Sequence, residues 1–259
     1  MKKRSSFAIF KSSVFALFLR EMYESVGVRK IGYFWLFFDI LFMVFIFAGL
    51  KTIVRDASVP GLDMVVFVAV NIMAFYFFKE TVMFLSTSFS INKSLFDYRQ
   101  VKPIDVLFSK FLFSFYTRIL AACVMLFIGV YFEFDLSVKD FNMVAFSIVW
   151  LGIFALSIGL VSAVLASFFD FYKRFIRYLM LPLLFLSAVF YTVESLPPLF
   201  QTIILYNPVA HFMEMLHGSY FYALDTYYVD YVYMTYWTVI PLFLGLFFYT
   251  RSEKGIIAS

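Results

Sequence analysis

Six stretches of the chain are long and apolar enough to cross a bilayer as helices: Ile31 to Leu50, about Leu62 to Leu85, Val106 to Phe132, Phe141 to Phe168, Phe175 to Val193 and about Val232 to Thr250. Roughly 20 residues at about 1.5 Å each suffice for a hydrocarbon layer of about 30 Å. The pattern predicts an all-α membrane protein with six transmembrane helices and both termini on one side. Before the first span, Phe7, Phe10, Val14, Leu17 and Phe18 recur at helical spacing, while Lys3, Lys11, Arg20 and Glu24 take much of the remaining surface. Residues 1–30 therefore read as an amphipathic interface helix with its lead-in, and residues 31–259 as the transmembrane domain.

Two regions break the apolar rhythm. The first, about residues 88–105, lies in "STSFSINKSLFDYRQVKPIDVLFSK". Pro103 removes a backbone donor and pushes Lys102 out of helical geometry, so the chain must turn there. Asp105 follows two residues later and can cap the next helix. The expectation is a short helix from about Ile91 to Tyr98, a turn and a capped span. Such an element is either an ordinary positively charged loop or a stiff surface for a soluble partner.

The second region, about residues 191–231, has no Lys or Arg and is too apolar for a solvated loop. Pro197 with Pro198, and Asn207 with Pro208, cut it into pieces such as Phe200 to Leu205 and Ala210 to Leu216, short enough for re-entrant helices. Irregular backbone at membrane depth is tolerated only where it is buried or lines a wet cavity. Tyr191, Pro197, Pro198, Asn207, Pro208, His211 and Glu214 are accordingly candidates for an outer gate. His211, Glu214 and His217 stand at i, i+3 and i+6, which turns the histidines about 120° apart on a helix. Zinc hydrolases instead carry H-E-x-x-H, so no metal site is expected.

Composition sharpens the class. The 259 residues are 63% hydrophobic, 23% aromatic and 15% charged, against roughly 45–50% apolar and about 25% charged in soluble domains. No room remains for a separate catalytic domain. Lys2, Lys3, Arg4, Lys11, Arg20, Arg29 and Lys30 precede the first span; Lys93, Arg99, Lys102 and Lys110 follow the second; Lys173, Arg174 and Arg177 follow the fourth; Arg251 and Lys254 end the chain. The other side has Lys51, Arg55 and Lys139 among many acids. Basic residues gather in cytoplasmic loops, which puts both termini in the cytoplasm. Lys11 and Arg20 interrupt any secretory signal, so the start reads as mature protein. Cys123 is alone, which excludes an internal disulfide.

Charges inside the spans need an explanation, because each costs about 2.5–3.5 kcal/mol at mid-membrane. Asp39, Lys79, Glu80 and Arg118 are either structural ion pairs or the polar wall of a substrate path. The spans also carry aromatic residues beyond what an interface belt needs. Tyr33, Trp35, Phe38 and Tyr76, with Lys79 and Glu80, are the candidate conduit residues, since sugar rings stack on aromatic planes. None of the ten glycines belongs to a G-x-x-x-x-G-K-[ST] phosphate loop, and neither G-x-S-x-G nor H-E-x-x-H is present. The chain has no catalytic candidate, and an ATP-driven process would need its ATPase on another subunit.

Three separated motifs resemble the permease subunits of polysaccharide-exporting ABC transporters, of the capsular polysaccharide type. They are "LRE" at Leu19–Glu21 with "RKIGYFW" at Arg29–Trp35; "NKSLFDYRQVKPIDVLFSK" at Asn92–Lys110, with Val101, Pro103, Ile104 and Asp105 as its core; and "YNPVAHFMEMLHGSYF" at Tyr206–Phe221. Asp39-Ile40 departs from the Glu-Pro of many relatives, and His217 from their Arg. The resemblance implies a type-2 ABC exporter permease fold in the bacterial inner membrane, in which two copies pair with two cytoplasmic ATPase subunits. ATP and Mg would sit on those subunits, and this chain would bind no cofactor of its own. Arg20, Glu21, Tyr98, Arg99, Lys102, Pro103 and Asp105 would form the coupling surface. Periplasmic and outer-membrane export proteins would continue the path of a lipid-anchored glycan, with no nucleic-acid partner. Competing readings are a permease for O-antigen, teichoic acid or a small hydrophobic compound, and a membrane-embedded enzyme using Glu80, His211 or Glu214.

Overall fold

The computed structural model describes residues 6–27, 38, 42, 45, 63–96 and 100–258. The expected first span, with Tyr33, Trp35 and Asp39, falls outside them except for Phe38, Phe42 and Phe45, and so do Tyr98 and Arg99. The described helices are α1 (Ser6–Gly27), α2 (Met64–Ser86), α3 (Ser88–Ile91), α4 (Pro103–Tyr131), α5 (Phe141–Phe168), α6 (Asp170–Phe185), α7 (Pro198–Leu205), α8 (Pro208–Tyr220) and α9 (Tyr231–Ala258). No strand occurs among the described residues. Helices α2, α4, α5 and α9 are long and apolar enough to cross a membrane.

The residues that interrupt the apolar runs also start the helices. Asp63 accepts the N–H groups of Val65 and Val66 at the head of α2. Asp140 does the same for Asn142 and Met143 at the head of α5, and Asp230 for Val232 and Tyr233 at the head of α9. Each carboxylate satisfies amides that the first helical turn leaves without a partner. Pro103, Pro198 and Pro208 stand in the first turns of α4, α7 and α8, where the missing N–H costs nothing.

Helix α5 is the central post. Phe78 of α2 stacks on Phe154 of α5 at 5.2 Å, and Phe154 stacks on Phe212 of α8 at 4.8 Å. Such pairs add about 0.5–1.5 kcal/mol each beyond simple burial. Gly159 lets Leu85 of α2 approach so closely that a Cβ would sit 2.6 Å from it, and Gly245 of α9 admits Leu160 of α5 in the same way. Small residues at these crossings replace the hydrophobic drive that lipid removes. From the paired residues, α2, α5 and α9 run in one direction and α4 in the other. One end of the bundle holds an apolar cluster joining Leu17, Phe89, Val106, Val164 and Ile256; it is termed the α1 end here.

The expected fifth span, Phe175 to Val193, needs correction: helix α6 starts at Asp170 and stops at Phe185. Its 16 residues reach about 24 Å, short of the hydrocarbon thickness. Beyond its C-cap, Ala188 takes φ 55°, a conformation that ends a right-handed helix. Ala188, Val189, Phe190 and Val193 are buried all the same, so this non-helical stretch is enclosed by protein. The sixth span extends further than expected, to Ala258.

Candidate functional site

At the α1 end, α1 is bolted to α4. Val14 and Leu17 turn inward, Phe10 meets the edge of Phe108 and Phe18 that of Tyr116. The Lys110 ammonium lies 4.0 Å from the Glu21 carboxylate and 4.2 Å from the centre of the Phe84 ring. Burial pushes the Glu21 carboxyl above its ordinary 4.5, with the nearby Lys110 ammonium pulling it back. Arg20 pairs with Glu24 at 2.6 Å and reaches the Asn92 side-chain oxygen at 3.4 Å. Ile9, Phe15, Leu19 and Tyr23 of α1 stay exposed.

The connection between α2 and α4 is compact. Its helix lies earlier than expected: α3 spans Ser88–Ile91 and a 3-10 turn follows at Lys93–Leu95. Asn92 ends α3 by turning its amide back onto the Ser88 carbonyl at 3.0 Å. Lys102 precedes α4 in extended conformation, as the Pro103 ring requires. Asp105 sits in the first turn, and its carboxylate accepts the Lys102 N–H while the Lys102 carbonyl accepts the Asp105 N–H. The Lys102 ammonium lies 3.7 Å from Glu253 near the end of α9. Phe89 faces Tyr249 of α9 at 6.0 Å, and the Tyr249 hydroxyl donates to Glu253.

Midway along the bundle, Glu80 of α2 and Arg118 of α4 form an ion pair. One turn away, Thr81 and Ser114 share a hydrogen bond at 2.7 Å, and Lys79 places its ammonium 4.3 Å above the Tyr76 ring. Arg118 is only 7% exposed and Glu80 about a third exposed. The structure thus draws Tyr76, Lys79 and Glu80 together with Arg118, while Phe38 stacks on Phe42.

At the opposite end, α7 and α8 form a helical hairpin beside the first half of α5. Asn207 caps α8 through Val209 and donates its amide to Leu186 O and Ser187 Oγ. His211 meets the Leu205 carbonyl through Nε2 and accepts the Asp230 N–H at Nδ1, which fixes the tautomer with its proton on Nε2. Glu214 accepts the Val193 N–H at 3.0 Å and contacts His217 Nδ1 at 3.2 Å. Tyr191 donates to the Phe185 carbonyl. Pro197 precedes α7 and Pro198 opens it. No group of three or more metal-ligating side chains occurs among the described residues. His211 and Glu214 fasten backbone, while His217 contacts the Glu214 carboxylate.

Lys110, Tyr249, Glu253 and Asn92 are joints that the sequence pattern does not single out. Lys110 counts there as a loop charge, yet it lies inside α4 and is 3% exposed. A cation returning to an aromatic run just past Pro103 is the one local signal for it.

Residues 12–221 match the family described as ABC-2 type transporter. The chain is similar to the polysialic acid transport protein KpsM of Escherichia coli, at 26% identity over 99% of this chain and 99% of the relative. It is also similar to the capsule polysaccharide export inner-membrane proteins CtrC of Neisseria meningitidis and BexB of Haemophilus influenzae. Identities are 28% and 27%, over 97% and 98% of this chain and 95% and 96% of those relatives. With the family's match running from α1 through α8, the protein belongs to the ABC-2 type transporter membrane family.

Proposed function

We propose that the protein is the membrane-spanning subunit of an ATP-driven exporter that moves capsular polysaccharide, carried on a lipid anchor, from cytoplasm to periplasm. Two copies form the conduit and two ATPase subunits dock at the α1 end, bringing ATP and Mg with them. The relatives' names supply the substrate class. The joint at the α1 end carries the mechanical part: α1, the α3 loop, α4 and α9 converge there on one apolar cluster fastened by ion pairs. A force applied to that surface would reach α2, α4, α5 and α9, the four helices whose residues meet in that cluster and that are long enough to cross the membrane. Arg20, Glu21, Tyr98, Arg99, Lys102, Pro103 and Asp105 belong to this surface in the proposal.

The bundle topology supports six crossings. Because α5 and α9 run the same way, the chain between them must return from the α1 end, and α6 with the buried stretch after it makes that crossing. Helix α2 likewise starts at the end opposite α1, as a first crossing before it requires. The excess of basic residues at the α1 end makes that end cytoplasmic. Helices α7 and α8, 8 and 13 residues long, then re-enter from the periplasmic side and act as an outer gate, with Tyr191, Pro197, Pro198, Asn207, Pro208, His211 and Glu214 as its frame. The conduit wall includes Tyr33, Trp35, Phe38, Tyr76, Lys79 and Glu80. The exposed aromatic stripe Phe171, Phe175 and Tyr178 of α6 supports a wall shared with the second copy. Periplasmic and outer-membrane proteins receive the polymer.

Deleting the gene in the producing strain tests the reading. Full-length capsular polymer retained in the cytoplasm is the expected result. Undiminished surface polymer, or accumulation of a different glycan class, would overturn the substrate assignment.

A further inference from the structure

We propose that the last turns of α9 are a strut that sets the position of the coupling loop, with Glu253 and Tyr249 as its positioning residues. The inference rests on the exporter reading above and adds the element that carries motion to the sixth crossing.

The α4 side of the coupling loop is fixed locally, by the Asp105 carboxylate accepting the Lys102 N–H and the Lys102 carbonyl accepting the Asp105 N–H. Its α3 side is fixed by Phe89, fully buried against Tyr249. Between them, the Lys102 side chain is 66% exposed and its ammonium lies 3.7 Å from Glu253. Glu253 is itself oriented by the Tyr249 hydroxyl at 3.2 Å. One side chain of α9 therefore packs under the α3 half of the loop, and a second holds the α4 half.

The residues behind this contact are packed against α5 and the buried cluster. Gly245 and Gly255 bring α9 against Leu160 and Phe168 of α5, and Ile256 and Tyr249 join the cluster that contains Leu85, Phe89 and Leu107. A displacement of the loop must then move the end of α9 or break the Glu253 contact. Magnitude separates this role from a stabilising one. An exposed ion pair contributes about 0–1 kcal/mol to folding, so losing it leaves the fold intact, whereas coupling between two sites is commonly a factor of about 5 to 150.

The test uses the chain co-purified with its cognate ATPase and reconstituted in liposomes, reading glycan moved per ATP hydrolysed. Glu253→Gln is expected to lower that ratio measurably, by up to about fivefold for an exposed pair of this kind, with the melting temperature of the complex nearly unchanged. Exchanging the charges, Lys102→Glu with Glu253→Lys, is expected to restore most of it. Tyr249→Phe, which keeps the ring on Phe89 and removes only the hydroxyl, is expected to fall between. A Glu253→Gln ratio equal to wild type overturns the strut, as does a loss that the charge exchange does not repair. Should Glu253→Gln fail to assemble, Lys102→Gln removes the same contact from the other side, and an unchanged ratio there overturns it too. If the wild-type complex moves no glycan with ATP, the exporter reading itself has failed, a result distinct from either of these.

Discussion

Lys110 and Glu21 meet at 4.0 Å beneath the ring of Phe84, joining α1 to α4 in a site nearly closed to water. A pair so placed must offset the cost of taking both charges out of solvent. The shift at Glu21 shows which way the balance tips: burial outweighs the attraction of Lys110. The folded chain consequently holds the Glu21 proton more tightly than the unfolded one.

That difference has a definite sign in pH. A carboxyl whose folded pKa lies above its unfolded value contributes stability at low pH, which is lost as pH rises through the folded value. Thermal unfolding of wild type and Glu21→Gln in detergent, followed upward from about pH 4.5, should show wild type losing ground to the variant and then levelling off. A difference that grows in the other direction would contradict the assignment.

Glu80 and Arg118 give a second electrostatic prediction. Glu80→Met leaves a guanidinium that is 7% exposed without its carboxylate and should cost about 3–5 kcal/mol. The double variant with Arg118→Met removes both charges and should recover most of that loss. Unfolding of the three proteins in one detergent measures it, and a double variant no better than Glu80→Met would show that the pair is not what fills this site.

The α7–α8 hairpin depends on side chains that replace backbone partners. Glu214→Leu strands the buried Val193 N–H and the His217 ring, and should cost roughly 3 kcal/mol. Asn207→Ala removes the α8 cap and two further bonds, for about 1–2 kcal/mol. Proteolysis of the hairpin in membranes open to protease on both sides should accelerate in both. Protection unchanged from wild type would mean that these contacts do not hold it.

Close helix crossings supply a prediction of the opposite kind. Gly159→Val would drive a side chain into Leu85, to which even a Cβ at that position would stand 2.6 Å away. Overpacking of this sort should destabilise by about 1–3 kcal/mol. Melting measurements on Gly159→Val and Gly159→Ala should rank valine as the worse; equal stability for all three would place α2 farther from α5 than described.

Much of this fold can be read from local pattern. The ends of α5 coincide with the expected Phe141 and Phe168, and Asn207 with Pro208 begins α8 as their chemistry requires. The end of α6 could not be foreseen, because apolar residues continue to Val193 while Ala188 turns the backbone out of helix. The apolar pattern reflects burial there, and helix was the wrong inference from it. Contacts such as Lys102 with Glu253 join residues about 150 positions apart, and nothing local in either neighbourhood marks the other. His211 and Glu214 stand out in the sequence as gate candidates, but the backbone groups they meet, the Asp230 and Val193 amides and the Leu205 carbonyl, have no side-chain signature.

In the proposed exporter, the α1 end meets a nucleotide-hydrolysing subunit. Gln100 is exposed in the connection between α3 and α4, and a single reactive thiol there, Gln100→Cys in a Cys123→Ser background, can be cross-linked in native membranes. The account predicts an adduct with the cognate ATPase whose yield changes between the ATP-bound and nucleotide-free states. A thiol that labels freely from solvent and gives no ATPase adduct in either state would contradict it.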